Sequence, residues 1–304
     1  MLLVTAANGN QGKMLIPRLV AAGTALRACV RSDESARTLR GAGVTEVVVG
    51  DITDPEVLPR AMHGVEKVYY VGPTLHPQER EMGIAAIDAA RAAGVRHFVY
   101  SSVLHAIITD LVQHEIKRDL EEYLISSGME FTILQPANYM LRHRLKPAFE
   151  ESVFRLSWAL DRYQSMVDLG DVTEVATAVL ANSDQHAGAT YELVAPGRYT
   201  AHDLAKIISG VIGRDIAAQQ IHADVFLKAV LGTDELNQFP YQTQAARAIS
   251  KRYSSHDFIG NPNVLKWLLG REPTTFDHFV QREFDAFKAA TTHESGLIDE
   301  HFRA

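Results

Sequence analysis

A short apolar strand that runs straight into a small-residue turn at the head of the chain constrains the fold most. Leu2-Leu3-Val4-Thr5-Ala6 reads as a strand, and Ala7-Asn8-Gly9-Asn10-Gln11-Gly12 carries it into a helix predicted from about Gln11 to Ala22. Small residues are needed in such a turn when backbone must approach a pyrophosphate and a helix N-terminus must point at that anion. Gly9 and Gly12 fit the second and third glycines of a dinucleotide fingerprint, and Ala6 stands where the first is expected. The turn therefore implies dinucleotide binding through Ala6, Asn8, Gly9, Asn10, Gln11 and Gly12. The bland alternative is a turn kept small for packing alone.

The same unit recurs. Strands are predicted at Ala25–Val30, Glu46–Val49, Lys67–Val71, Val95–Ser101 and Phe131–Leu134. Helices fill the gaps at about Asp33–Arg40, from Asp54-Pro55-Glu56 (Asp as N-cap, Pro at the first position), Pro77–Ala93 and Asp110–Ser127. Strands separated by single helices make βαβ units with right-handed crossovers, hence an α/β, Rossmann-type doubly wound parallel sheet. After Pro136 the alternation stops. Asn138–Glu150 reads as helix, Asp171-Val172-Thr173-Glu174 as a helix start, and Thr190–Val194 as a strand returning to the first sheet. A helix is expected from Thr200 to about Gly213, a strand at Ala217–Ile221, and a last strong helix from Thr274. Its Phe276, Phe279, Val280, Phe284 and Phe287 recur at helical spacing and read as core. The expected organisation is 1–136 with about 166–196 as the dinucleotide domain, about 137–165 with 197–290 as a smaller α+β substrate domain, and 291–304 as a tail.

Composition excludes several classes. With 304 residues, 46% apolar and 22% charged, the chain supports about two ordinary globular domains. A net charge of −7 argues against nucleic acid as a partner, because phosphate binding needs surplus positive charge. The single cysteine, Cys29, can form no internal disulfide, which points to a reducing, cytoplasmic setting. No leader pattern, no run of about 18 apolar residues and no His-x-x-x-His metal spacing is expected to act here, so membrane and metal are not expected. A small-molecule substrate and a monomer or homodimer are.

Further candidates lie at the carboxyl ends of the predicted strands, where ligands of such sheets bind. Arg31 follows the second strand about 20 residues after the glycines, where NAD-binding sites carry an acid for the ribose. A cation there suits the 2′-phosphate of NADP; otherwise it is a solvated arginine. Asp51 either bonds the adenine amino group or caps a turn. Ser101 and Ser102 end the fifth strand and either bond substrate or close a turn, and His105 could reach the same cleft. His114 reads as a surface histidine; Arg142, His143, Arg144 and Lys146 form a small basic cluster that either attracts an anionic substrate or is a solvated helix face, the second being the preferred reading.

Val4 to Gly12, Val30-Arg31-Ser32, Gly50-Asp51, Tyr100-Ser101-Ser102-Val103 and the stretch from Ser127 to Met140 together resemble the NmrA-like proteins of the atypical short-chain dehydrogenase/reductase superfamily. The resemblance covers residues 1 to about 140. It implies a Rossmann domain with a small C-terminal domain closing over the nicotinamide, and NADP(H), with NAD(H) second, as cofactor. It also implies one of two activities. One is NADPH-dependent reduction of a small aromatic or conjugated carbonyl or quinone; the other is non-catalytic sensing of NADP(H) with a protein partner. The wider superfamily places a Tyr-x-x-x-Lys pair on the helix after the fifth strand. Here Lys117 holds the lysine's place and Gln113 the tyrosine's. Gln113 has no proton to give, but isoflavone-reductase-like relatives also lack that tyrosine and work with the lysine. Lys117 is thus expected to bind the nicotinamide ribose and act in catalysis with Ser101 and Ser102, or else to be an exposed helix lysine. Pro136 is expected beside the carboxamide, and Gln113, Asn138 and Tyr139 in the substrate pocket; the proton is expected from water or a residue of that pocket, Tyr139 being the less favoured candidate.

Overall fold

In the computed structural model, residues 1–301 are described, with side chains to residue 290. The first half alternates as expected: β1 (Leu2–Val4), α1 (Asn10–Ala21), β2 (Leu26–Val30), α2 (Asp33–Gly41), β3 (Glu46–Val49), α3 (Val57–Met62), β4 (Lys67–Val71), α4 (Glu79–Ala92), β5 (His97–Ser101), α5 (Val112–Ser126) and β6 (Glu130–Pro136). Then come β7 (Asn138–Met140), α6 (Arg142–Glu151), β8 (Val153–Leu156), β9 (Met166–Asp168), α7 (Leu169–Ala181), α8 (Ser183–His186) and β10 (Ala189–Leu193). The chain continues through α9 (Ala201–Ile212), β11 (Ala217–Gln220), α10 (Ala223–Leu231), α11 (Pro240–Ser255), α12 (Asn263–Leu269) and α13 (Phe276–His301). Residues 302–304 of the expected tail lie outside the described residues; the part before them continues α13.

The central sheet has seven parallel strands in the order β10-β6-β5-β4-β1-β2-β3, and β10 returns to its edge beside β6. The strand order reverses between β1 and β4, so the crevice above their carboxyl ends is the natural ligand site. Alternation of side chains explains the three layers. In β1, Leu2 and Val4 enter the core shared with α1, α2 and α7, while Leu3 enters the core under α3, α4 and α5. Both faces of β1 are sealed, as its uninterrupted apolar run requires.

Three boundaries differ from expectation. Asp54 does not start a helix: its carboxylate accepts from the Glu56 N–H and closes a turn, and α3 begins at Val57. Asn138–Met140 is strand, not helix, because it pairs in parallel with β9. The N-cap of α7 is Asp168, which accepts from the Gly170 N–H at 2.7 Å, three residues before Asp171. Asp171 is buried instead against Arg271 at 2.8 Å and the Thr274 N–H at 2.6 Å, tying α7 to the approach to α13. The aromatic stripe of α13 is core: Phe276, Phe279 and Val280 are buried, and Phe284 and Phe287 pack on Phe149. Helix α9 starts with a full capping box from Thr200 and Asp203.

Candidate active site

The glycine turn sits at the switch point. Ala6 adopts φ +47°, a left-handed conformation usual for glycine, which explains why a small residue is required there. The Gly9 N–H donates to the Ala6 carbonyl at 2.8 Å. A Cβ on Gly12 would lie 2.3 Å from the Ala7 carbonyl oxygen, so that glycine lets α1 begin directly against the turn. Beside the turn opens a compartment of about 280 Å³ lined by Ala6, Asn8, Gly9, Arg31, Asp51 and His76, among others. Arg31 is exposed at its rim. Asp51 caps a turn through the Thr53 N–H at 2.9 Å and hydroxyl at 2.8 Å, and these bonds, with help from Arg31, hold its carboxyl below the usual range. Asn8 donates to Ser35 at 3.0 Å, bracing the turn against α2.

A second compartment, of about 380 Å³, adjoins the first at Ala6, Gly9 and Val71. Ser101, Ser102, Gln113, Lys117, Pro136, Asn138 and Tyr139 all line it, together with Asn10 and Gln11. Its floor is a buried network centred on Gln11. That amide donates to the Ser101 hydroxyl at 2.8 Å and to the Tyr139 hydroxyl at 2.7 Å, while Tyr69 donates to its carbonyl oxygen. Both amide protons are thus spent on hydroxyl oxygens, and each hydroxyl keeps its proton for a partner other than Gln11. Burial pushes the Tyr139 phenol up to about 12, so it stays protonated through the physiological range. Asn138 is held by donation to Gln164 at 2.9 Å.

Helix α5 presents Gln113, Lys117 and Glu121 at successive i, i+4 positions, so they share one face. Lys117 is only 5% exposed, which removes the reading of a solvated helix lysine. Its Nζ lies 2.7 Å from Glu79, whose side chain is wholly buried at the start of α4. Gly72 makes room for the pair: a Cβ there would lie 3.2 Å from Glu79 and 3.4 Å from Lys117. The Gln113 side-chain oxygen is buried with no hydrogen-bond partner among the described residues. Ser102 donates to Glu121, which also accepts from Gln135 at 2.8 Å and 3.0 Å. Burial raises the Glu121 carboxyl against the opposing pull of these bonds and of Lys117.

The structure therefore gathers the residues expected from the strand ends and α5 into one trough. Three expectations fail. His105 turns away from the trough and bonds the Ile259 carbonyl at 2.8 Å. His114 is not on the surface: it is 1% exposed, bonded to the His105 carbonyl at 2.9 Å, and burial lowers its pKa. Arg144 leaves the solvated face kept by Arg142, His143 and Lys146 and lines the second compartment. Glu79, Glu121 and Tyr69 were not among the expected site residues, and of the basic cluster Arg144 lines the compartment. Glu121 had a signal, the i, i+4 step from Lys117; Glu79 had none, being distant in sequence. Cys29 is buried, and burial pushes its thiol up to about 11, which makes it a poor nucleophile. Among the described residues no helix is long and apolar enough to cross a membrane.

A parallel doubly wound sheet with a small-residue turn at its switch point and a polar trough beyond it defines a Rossmann-type NAD(P)-binding protein of the reductase-like class. The family is more specific: the chain belongs to the NmrA-like family, whose model matches residues 1–283. It is 29% identical to the NAD(P)H azoreductase of Xenophilus azovorans over 298 residues, covering 95% of this chain and 100% of that protein. Among solved structures it resembles the Citrobacter sp. triphenylmethane reductase complexed with NADP(H), with a TM-score of 0.79 and 26% identity, covering 93% of this chain and 99% of that one. It also resembles the NADPH-dependent quinone oxidoreductase of Escherichia coli, with a TM-score of 0.76 and 26% identity, covering 93% and 100%.

Proposed function

We propose that this chain binds NADP(H), with NAD(H) as the weaker alternative, and reduces a small aromatic or conjugated acceptor of carbonyl or quinone type. The observation that carries the reading is convergence: Lys117, Ser101 and Tyr139 line one compartment that adjoins the glycine turn. The chain fits the cofactor on its own terms. The turn presents backbone without side chains, Arg31 offers an exposed cation beside it, and the orphaned Gln113 oxygen is an acceptor awaiting a donor. Residues 1–136 with about 166–196 hold the cofactor in this reading, and about 137–165 with 197–290 shape the acceptor pocket. NAD(P)H-linked reduction in the relatives named above supports the same class.

When bound, NADPH supplies the hydride. The backbone from Ala6 to Gly12 would seat its pyrophosphate, and Pro136 and Ala137, which line the second compartment, would border its nicotinamide. Lys117, fixed by Glu79, would present the positive end of a buried pair to the cofactor's ribose and to the acceptor oxygen as negative charge builds there. Tyr139, protonated and positioned by Gln11, delivers the proton that the absent superfamily tyrosine would give, and Ser101 orients the acceptor. Ser102 acts more through Glu121 than on the substrate, since its hydroxyl is already engaged.

The test is NADPH consumption against a panel of quinones, azo compounds and enals, for wild type and Tyr139→Phe. Turnover by the wild type and a fall of about tenfold or more in kcat for Tyr139→Phe is the expected result. Gln113 in the tyrosine's place favours the second reading, a non-catalytic NADP(H) sensor. Tight cofactor binding with no acceptor reduced anywhere in the panel would put that reading first.

A further inference from the structure

We propose that Arg144 recognises an anionic group, a carboxylate, sulfonate or phosphate, on the acceptor, making the preferred substrates anionic and aromatic. This rests on the reading of the second compartment as the acceptor pocket. Helix α6 sends Arg142, His143 and Lys146 to solvent, but turns Arg144 into that compartment, on the side of Asn138, Tyr139 and Leu141. The guanidinium centre lies 5.6 Å from the Trp158 ring and 5.7 Å from the Phe226 ring, and Tyr253 stands nearby. Its Nε is buried without a hydrogen-bond partner, and among the described residues no carboxylate pairs with it.

The accounting of charge is one-sided. The compartment is lined by two cations, Lys117 and Arg144, and by no acid. Glu79 neutralises Lys117, and Glu121 is occupied by Ser102 and Gln135. Of these two cations, Arg144 has no counter-charge among the described residues. Burial disfavours its charged form, yet an arginine does not give up its proton in proteins. A partly buried charge with no opposite charge beside it is disfavoured unless something supplies the opposite sign. A ligand anion does so, and the guanidinium fork matches carboxylate, sulfonate and phosphate oxygens. Val71, Val103, Pro136, Ala137, Tyr139 and Leu141 line the same compartment and give an aromatic body its apolar contacts. The cofactor's phosphates have other places, at the glycine turn and beside Arg31, and Arg144 does not border the Arg31 compartment.

The experiment measures calorimetric binding of naphthalene-2-sulfonate and of neutral naphthalene-2-carboxamide to the NADP⁺-saturated protein, for wild type, Arg144→Met and Arg144→Lys. A second arm compares kcat/KM for 1,4-naphthoquinone-2-sulfonate and 1,4-naphthoquinone. The sulfonate-to-neutral ratio should fall at least tenfold in Arg144→Met and less in Arg144→Lys, which keeps the charge and loses the fork. The melting temperature of Arg144→Met should hold or rise, because a partly buried charge without a counter-charge is gone. Arg144→Lys supplies the comparison if Arg144→Met does not fold. A ratio within twofold of wild type in the variants overturns the proposal. So does a loss of NADP⁺ affinity in place of the sulfonate's, which would put Arg144 on a cofactor phosphate. Binding needs no turnover, so a protein that discriminates the sulfonate through Arg144 but reduces nothing refutes the reductase reading and leaves the anion site standing.

Discussion

Replacing Lys117 by Met should damage the protein twice, in stability and in rate, and a second substitution should separate the two losses. Glu79 is wholly buried, and among the described residues its one ion-pair partner is Lys117, at 2.7 Å. Removing the lysine strands a buried carboxylate, which typically costs about 3–5 kcal/mol. With unfolding entropy of about 2.1 cal/mol/K per residue, a chain of 304 residues loses about 5–8 °C in Tm for that change. Pairing Lys117→Met with Glu79→Leu removes both charges and refills the space with apolar volume, a swap that is often neutral or stabilising. The double variant should therefore regain most of the Tm. Turnover should not return, because the charge beside the acceptor oxygen is still missing; such stabilisation contributes several kcal/mol, and a loss of about a hundredfold or more in kcat is expected. Differential scanning calorimetry and steady-state NADPH oxidation on the four proteins of this cycle give both quantities. A Tm drop under about 1 °C in Lys117→Met would refute the charge argument. Wild-type turnover in the double variant would refute the role of Lys117.

Three further outcomes follow from the geometry. Arg31→Ala should narrow the preference for NADP(H) over NAD(H) by about ten- to a hundredfold, the worth of a charge-assisted contact to phosphate; equal wild-type affinity for both cofactors by calorimetry would exclude that contact. Gly12→Ala drives a Cβ to 2.3 Å from the Ala7 carbonyl oxygen, so it should lower Tm and weaken NADPH binding together in fluorescence titration; an unchanged Tm would contradict the crowding at the head of α1. His114 is buried with its pKa lowered by desolvation, so above about pH 6.5 it is neutral in both folded and unfolded chains and contributes nothing to the pH dependence. Below that the unfolded chain takes up the proton first, and stability is lost as pH falls through the folded pKa. His114→Asn should flatten this acid limb of the Tm profile, and an identical limb in the variant would assign it to other groups.

Much of the fold was legible because its signals are local. Leu2-Leu3-Val4 has no polar residue to turn toward water, so it had to be a strand sealed on both faces. The turn that follows needs small residues whatever lies elsewhere, since Ala6 enters the left-handed region and Gly12 touches the turn's own backbone. Helical spacing put Gln113 and Lys117 on one face, and it extends to Glu121. Local signals failed where a distant partner decided the outcome. Asn138–Met140 runs straight into the helical stretch that follows and reads with it, but it becomes a strand because β9 lies beside it. Asp171 resembles a helix-start acid but is claimed by Arg271 and the Thr274 backbone.

What the sequence by itself determined is the parallel sheet, the glycine turn at its switch point and the residues that end its strands, since each depends on neighbours a few positions away. Tertiary structure alone decided the electrostatics of the site. The Glu79 that pairs with Lys117, the Gln11 amide that orders Ser101 and Tyr139, and the rings that flank Arg144 all come from elements far apart in the chain. Charge acts through space and its strength is set by burial, so whether a lysine or arginine is solvated, paired or left waiting for an anion is fixed only when those elements close around it.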